Sequence, residues 1–367
     1  MNDKMNITNF QLFFLSIHMQ VGVGVLSLPY DIFVKAKNNG WLSVIITGLI
    51  IQTILLLFHV LMSRFPEDNI FDISKKLFGK FFGNICIFLF YLCYVFIGIL
   101  ILVKFAYLLK AWMMPHTPKW VLLGLMSFTA VFIVKDNLKT LARFATIASI
   151  VFIGFFVLII YALKHANFSN VLPIASEGVL PIIEGLPPSI FAFQGFELFI
   201  VVYPFMQSSP KNILKTVTIA NAFVTFFYLF LVLVSIMFFS EAELKLIPEP
   251  VLYLIKSFSF RIIERPDLLF TSMWIVLVAT TYSGAIYTSS LALTTFRKTR
   301  TLTIYALLTA FICFVGALTF TKKQIITFAS YIQNYFIVPF LWGIPILLLL
   351  VSLLFKKKGE VKSTDEA

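Results

Sequence analysis

Charge is scarce in this chain. Of its 367 residues 13% are Asp, Glu, Lys or Arg, against about 25% in ordinary soluble domains, so a water-facing surface cannot be assembled from them. Cysteine is scarcer still. Cys86, Cys93 and Cys313 are odd in number and all lie inside apolar runs, which excludes a disulfide framework and makes them small core residues. Catalytic groupings are missing too. There is no phosphate-binding glycine-rich loop with its Lys, no zinc-spaced set of His and Cys, and no Ser, His and Asp grouping at polar positions. His18, His59, His116 and His165 are scattered over different depths. Neither an enzyme nor a cofactor is expected.

What the chain has in excess is apolar surface. Hydrophobic residues make up 60% of it, with 43 Phe, and such side chains suit a bilayer-facing surface where a soluble one would expose aggregation-prone patches. The net charge of +12 does not point to nucleic acid, because Lys and Arg sit in short clusters between apolar runs rather than on one face. A helix crossing the hydrocarbon needs roughly 20 apolar residues. Runs of that kind lie near 10–33, 41–63, 81–107, 119–135 and 142–163, then 182–206, 216–239, 268–295, 301–320 and 330–355. The expected fold is an all-α polytopic membrane protein of about ten transmembrane helices.

With the N-terminus inside, the connectors carrying Arg64, Lys75, Lys76 and Lys80, then Lys135, Lys139 and Arg143, then Lys211 and Lys215 fall in the cytoplasm. Arg297, Lys298, Arg300, the Lys356 to Lys358 cluster, Lys4 and Lys362 join them. The excess of basic residues on that side satisfies the positive-inside rule and places both termini in the cytoplasm. Lys104 and Lys110 are expected to snorkel from the outer end of the third span. Two connectors have the composition of short surface elements. RFPEDNIFDISKKLFGKFFG reads as an amphipathic helix with Ile70, Phe71, Ile73, Leu77 and Phe78 turned toward lipid or protein. On the other side, IPEPVLYLIKSFSFRIIERP mixes apolar residues with Lys256, Arg261 and Arg265 and is either a cap over an outer vestibule or a solvated loop.

Two spans carry interruptions. The first reads QVGVGVLSLP, where Gly22 and Gly24 weaken the helix and Pro29 removes a backbone donor. The sixth reads FAFQGFELFIVVYP, with Gly195 at mid-depth, Gln194 and Glu197 beside it and Pro204 further on. These are the leading spans of two five-helix halves, 10–163 and 182–355, followed by a tail at 356–367. That is the pattern of a 5+5 inverted repeat with a ligand site at the repeat interface. A broken helix frees N–H groups at the start of its second half and C=O groups at the end of its first, where water is scarce. An amino acid can supply both partners, its carboxylate at the positive helix end and its ammonium against carbonyls or a carboxylate.

Glu197 is the candidate anion. An ionised side chain at mid-bilayer costs about 2.5 to 3.5 kcal/mol on the mildest scale. It is therefore read as facing a cavity, with a hydrogen-bonded structural carboxyl as the plainer alternative. The glycines have a plainer alternative as well, close helix packing. Tyr91 and Tyr94 on the third span, and Thr280, Thr281 and Ser283 on the eighth, within VATTYSGAIYTSS, are further polar candidates at depth. Each also suits ordinary packing or interhelix hydrogen bonding. His18 and Gln20, just before the first break, fit either a proton or water path or bonds to neighbouring helices.

The order QVGVGVLSLP, NNGWLSVIITGL, RFPEDNIFDISKKLFGKFFG, LPIASEGVLPIIEG and FAFQGFELFIVVYPFM resembles the permease-like B subunits of nutrient germinant receptors of endospore-forming bacteria. That family is similar to the amino acid, polyamine and organocation transporters, with a LeuT-type core broken in its first and sixth helices. The resemblance implies a subunit that binds a germinant, often an amino acid, in the spore inner membrane. It implies a complex with an A-type membrane subunit and a C-type lipoprotein. By the same analogy the ligand contacts Gly22, Gly24 and Val25 in the first break and Gln194, Gly195, Phe196 and Glu197 in the sixth, with Tyr94, Thr281 and Tyr287 from the third and eighth spans. Sodium-coupled relatives use paired hydroxyls on the eighth span, for which Thr280 and Thr281 are the weak candidates here. An amino acid permease or ion-coupled symporter, and a scaffold or water-conducting pore, are the rival functions.

Overall fold

The computed structural model describes residues 6–135, 137–173, 178–258, 263–296, 301–320 and 331–359. Lys4, Arg261, Arg297, Lys298, Arg300 and Lys362, which entered the charge argument, lie outside the described residues. The described residues are helical and connecting segments, with one isolated parallel bridge between Ile7 and Met206.

The first span is two short helices, α1 (Asn9–Gln20) and α2 (Leu28–Ala36). Thr8 and Gln11 form a reciprocal capping box that starts α1. Pro29 sits in the first turn of α2, where its missing N–H breaks no helical bond and its fixed φ helps the helix restart. The second span, α3 (Gly40–Arg64), is unbroken.

Helix α4 (Ile70–Trp112) is bent at Gly79, whose φ of 78° and ψ of 174° leave the helical region. Asn69 caps it by accepting from the Phe71 and Asp72 N–H groups. The segment before the bend is the expected amphipathic piece, and it turns Ile70, Phe71 and Ile73 into the protein. Lys75 Nζ fixes it to the end of the eighth span by donating to the Thr295 carbonyl at 2.6 Å.

Helices α5 (Lys119–Val134), α6 (Leu138–Ala148) and α7 (Val151–Ala162) follow. The expected span at 142–163 starts earlier and is divided at Ser149, whose Oγ takes the Thr146 carbonyl and competes with the helical ladder.

The sixth span comprises α8 (Leu180–Glu184), α9 (Leu186–Phe193), a 3-10 turn at Phe196–Leu198 and α10 (Phe199–Val202), with a second 3-10 turn at Tyr203–Phe205. Its two parts meet at 51°. Next come α11 (Pro210–Phe238), α12 (Glu241–Leu244), α13 (Pro250–Lys256), α14 (Pro266–Thr294), α15 (Leu302–Thr319), and a π-turn at Gln333–Ile337 leading into α16 (Val338–Leu354). Helix α13 buries Val251, Leu252, Leu254 and Ile255, so this part of the connector before the eighth span is packed structure rather than a solvated loop.

Among the described residues seven helical stretches, one of them running from α2 through α3, are long and apolar enough to cross a bilayer, and the bent sixth span makes an eighth. Helix α5 is apolar but has 16 residues, and neither α1 nor α2 is long enough alone. Assigning α2 to a span with α1, leaving α3 as a span of its own, and counting α5 gives the ten segments the sequence predicts. Helix α14 runs through the centre against α4, α5 and α15. Its Trp274, Tyr282 and Tyr287 are fully buried, and its run of Ala, Gly, Ser and Thr lets neighbouring helices approach closely. On the outside, residues such as Leu125, Phe128, Ile147 and Ile153 are exposed, the surface of a multi-pass membrane protein with lipid as its solvent.

Candidate functional site

The two breaks touch. Gly195 has φ 121° and ψ −17°, a conformation that side-chain-bearing residues rarely adopt. A Cβ there would collide with the Met19 carbonyl at the end of α1. A Cβ on Gly24 would come within 3.3 Å of the Ala192 Cα. Glycine is thus required at Gly195 by its backbone conformation and the close approach of the other break, while at Gly24 the approach is tight.

Between the breaks lies a cavity of about 60 Å³. Gly22 and Gly24 line it from the first break, Gln194, Gly195 and Glu197 from the sixth, Tyr94 from α4 and Thr281 from α14. Four expected residues fall elsewhere. Val25 is packed in the core. Phe196 stacks on Phe58 at 5.9 Å and meets the Trp342 ring edge-on at 5.6 Å. Tyr287 is buried off the cavity wall, and Thr280 donates to the Val276 carbonyl of its own helix at 2.9 Å. Of the other polar candidates Gln20 lines the cavity, and three lie off its wall. Tyr91 is buried, Ser283 donates to the Ala279 carbonyl at 2.7 Å, and His18 packs its ring against Phe152 at 5.3 Å.

Side-chain donors meet the carbonyls that the breaks release. The Tyr228 hydroxyl on α11 lies 2.7 Å from the Gln20 carbonyl and 2.9 Å from the Ala192 carbonyl, so one phenol bridges both interrupted spans. Trp274 Nε1 donates to the Gly22 carbonyl at 3.3 Å, and Thr281 Oγ1 is 2.9 Å from the His18 carbonyl and 3.0 Å from that of Leu277. The hydroxyls of Thr280 and Thr281 therefore do not converge on one point.

Glu197 is buried and both of its carboxyl oxygens are engaged. Oε2 accepts from the Gly195 N–H at 2.7 Å, at the start of the second half of the span, and Oε1 accepts from the Trp342 indole at 3.0 Å. The carboxyl is thus at once a cavity-lining group and a hydrogen-bonded structural one, which joins the two alternatives left open by the sequence.

Three residues that line the cavity each carry a buried polar atom with no partner among the described residues: Gln20 Oε1, Gln194 Nε2 and Thr288 Oγ1. A buried polar atom without a partner costs roughly 1–3 kcal/mol. The rest of the wall is largely aliphatic, with Val23, Ile97, Leu100, Ile101 and Leu198. Lys104 departs from its expected role. Its ammonium does not snorkel outward but sits 4.3 Å over the ring of Phe191, which lines the cavity, and the ring face offers it a cation–π partner.

Sequence reasoning missed Tyr228, Trp274, Thr288 and Trp342. The available signal was polar-tipped aromatics inside apolar spans, since a buried Tyr or Trp normally finds a partner for its O–H or N–H.

This arrangement, two helices broken at mid-length around a central cavity, defines a LeuT-type membrane protein. The chain has that fold in common with MhsT in complex with L-phenylalanine, with a TM-score of 0.71 at 13% identity over 97% of this chain and 91% of that one. A substrate-bound, outward-open Na+-coupled sialic acid symporter gives a TM-score of 0.62 at 12% identity, covering 94% and 79%. The profile of the spore permease family, described as spore germination protein, matches residues 6–325. The chain belongs to that family. It is 28% identical to spore germination protein GerQB of Bacillus cereus, over 73% of this chain and 74% of that one. It is 23% identical to spore germination protein YndE of Bacillus subtilis over 96% and 98%, and 27% identical to spore germination protein B2 of the same organism over 69% and 70%.

Proposed function

We propose that the chain is the nutrient-sensing subunit of a spore germination receptor and binds a small molecule, an amino acid, where the two breaks meet. The observation that carries this reading is the cavity itself, lined by both breaks and by three residues with unpartnered polar atoms. The ligand's ammonium is drawn to the carbonyl ends of α1 and α9 and its carboxylate to the start of α2, each the favourable end of a helix dipole. Binding shifts a conformational balance only through different affinity for two states. Closing the interrupted spans around the ligand supplies that difference.

In this reading the halves 10–163 and 182–355 are inverted repeats, and 356–367 is a cytoplasmic tail. Both termini face the cytoplasm, the membrane is the spore inner membrane, and an A-type membrane subunit and a C-type lipoprotein carry the signal onward. The protein acts by binding rather than catalysis. The rival reading as an ion-coupled permease draws support from the fold, but fold alone does not assign transport.

Spores lacking the chain, tested against single nutrients, decide the matter together with uptake of radiolabelled amino acids into proteoliposomes. The expected result is loss of one nutrient response with no accumulation of substrate. Accumulation driven by a sodium or proton gradient would establish the permease instead.

A further inference from the structure

The third and tenth spans touch at Phe90 of α4 and Phe340 of α16, whose rings meet edge-on at 5.1 Å. From that contact toward Ile99 and Ile332 they enclose a groove of about 460 Å³, against about 60 Å³ for the cavity between the breaks. Leu92, Cys93, Phe96 and Ile99 line it from α4, and Ile332 and Phe336 from the start of the tenth span. Phe336 belongs to the π-turn at Gln333–Ile337, a rare helical irregularity that is frequent at functional sites.

Among the described residues the wall is hydrocarbon apart from the Cys93 thiol. A water settles in a protein cavity only with about two to four polar partners, and an ion or a polar ligand buried here would have none. The occupant is therefore itself hydrocarbon. The groove opens toward lipid, with Leu92 39% and Phe336 41% exposed. Phe81, Ile85, Phe88 and Leu92 share one exposed face of α4, so the lipid-facing surface of that helix runs directly into the groove.

Along α4 the lining extends from Leu92 to Ile99, about 10 Å of helix axis. That is about two-thirds of one leaflet's share of a hydrocarbon core roughly 30 Å thick. At the open end the exposed rings of Tyr331 and Tyr335 pack together at 4.8 Å, and exposed tyrosines gather at the membrane–water interface. A whole helix, about 10–12 Å across with its side chains, would lie over the groove rather than fill it. A single alkyl chain fills it.

We infer that the groove binds one acyl chain of a phospholipid, inserted from the interface beside Tyr331 and Tyr335, and that the chain braces the start of the tenth span against α4. The site is separate from the cavity between the breaks. Cys93 lines the groove, while its neighbour Tyr94 lines the cavity.

The test uses the full-length protein, purified in detergent, stripped of lipid and titrated with a phosphatidylglycerol that carries a photoreactive diazirine in one acyl chain. The expected result is saturable labelling of peptides covering 92–99 and 332–337, suppressed at least fivefold by excess dioleoylphosphatidylglycerol. Dioleoylphosphatidylcholine is expected to compete equally, because the wall reads the chain and not the headgroup, and either lipid is expected to raise the melting temperature. Leu92→Trp and Phe336→Trp, which fill the groove from its two exposed lips, are each expected to reduce the labelling at least fivefold. Leu125→Trp, on another lipid-facing helix, is expected to leave it unchanged. Unsaturable label spread over exposed residues such as Leu125, Phe128 and Ile147 would overturn the proposal, as would full labelling of both filled variants. A dimer that Leu92→Trp breaks, with no lipid label in the groove, would give this face to a second copy of the chain and overturn it too.

Discussion

The indole N–H of Trp342 donates to Glu197 Oε1 at 3.0 Å, joining residues 145 positions apart. The bond ties the tenth span to the point where the sixth restarts. Because Glu197 also accepts the Gly195 N–H, the carboxyl fixes the break, one wall of the cavity and a peripheral helix at once. Its position explains how a carboxyl is tolerated at mid-membrane, since each oxygen has a donor in place of water.

Removing that donor tests the link. Trp342→Phe is expected to lower stability by about 1–3 kcal/mol, because it leaves a buried oxygen without its partner. Thermal unfolding of the purified protein measures it. Adding Glu197→Gln closes a double-mutant cycle, and a coupling energy below about 0.5 kcal/mol would show the pair to be independent.

Tyr228 gives a second test. Its hydroxyl serves the carbonyls of Gln20 and Ala192, so Tyr228→Phe frees both while keeping the ring that packs on Phe193. A loss of about 1.4 kcal/mol in the closed state corresponds to tenfold in the nutrient concentration giving half-maximal response. Spore germination curves at matched protein levels report the shift.

Two glycines give a matched contrast. At Gly195 an added methyl meets the Met19 carbonyl and the backbone has positive φ, so Gly195→Ala is expected to destabilise by at least about 1–3 kcal/mol. At Gly343, inside α16, an added methyl meets nothing within 4 Å. Gly343→Ala is therefore expected to be neutral or to stabilise by up to about 1 kcal/mol. Membrane abundance and melting temperature of the two variants are the measurements.

The contact between Lys104 and Phe191 of the cavity wall gives another prediction. Lys104→Met removes the ammonium above Phe191, a contact in the range of about 0.5–2 kcal/mol. Dissociation of bound amino acid is expected to speed up several-fold, with the fold and expression unchanged. Stopped-flow release measures it.

The breaks were legible because Gly22, Gly24, Pro29 and Gly195 are local signals, readable from backbone chemistry without knowing any neighbour. Glu197 stood out for a similar reason, as an acidic residue in an apolar run. The partners were not legible. Tyr228, Trp274 and Trp342 look like any membrane aromatic until the packing of α11, α14 and α16 brings each to a particular carbonyl or carboxyl. Lys104 was misread for the same reason, since the ring that draws it inward, Phe191, lies on another span. Val25, Phe196 and Tyr287 are buried on the expected spans, but helix rotation, which spacing does not encode, turns them away from the cavity.

The central claim is that nutrient is read where the two breaks meet. Its most direct test is the dose–response of spores lacking this chain, complemented at matched membrane levels with wild type, Gln194→Leu or Glu197→Gln. The account predicts that wild type restores one nutrient response and that both variants shift its concentration dependence about tenfold or more, while responses to other nutrients stay put. Curves for the variants that overlay wild type would contradict it and move the sensing site elsewhere.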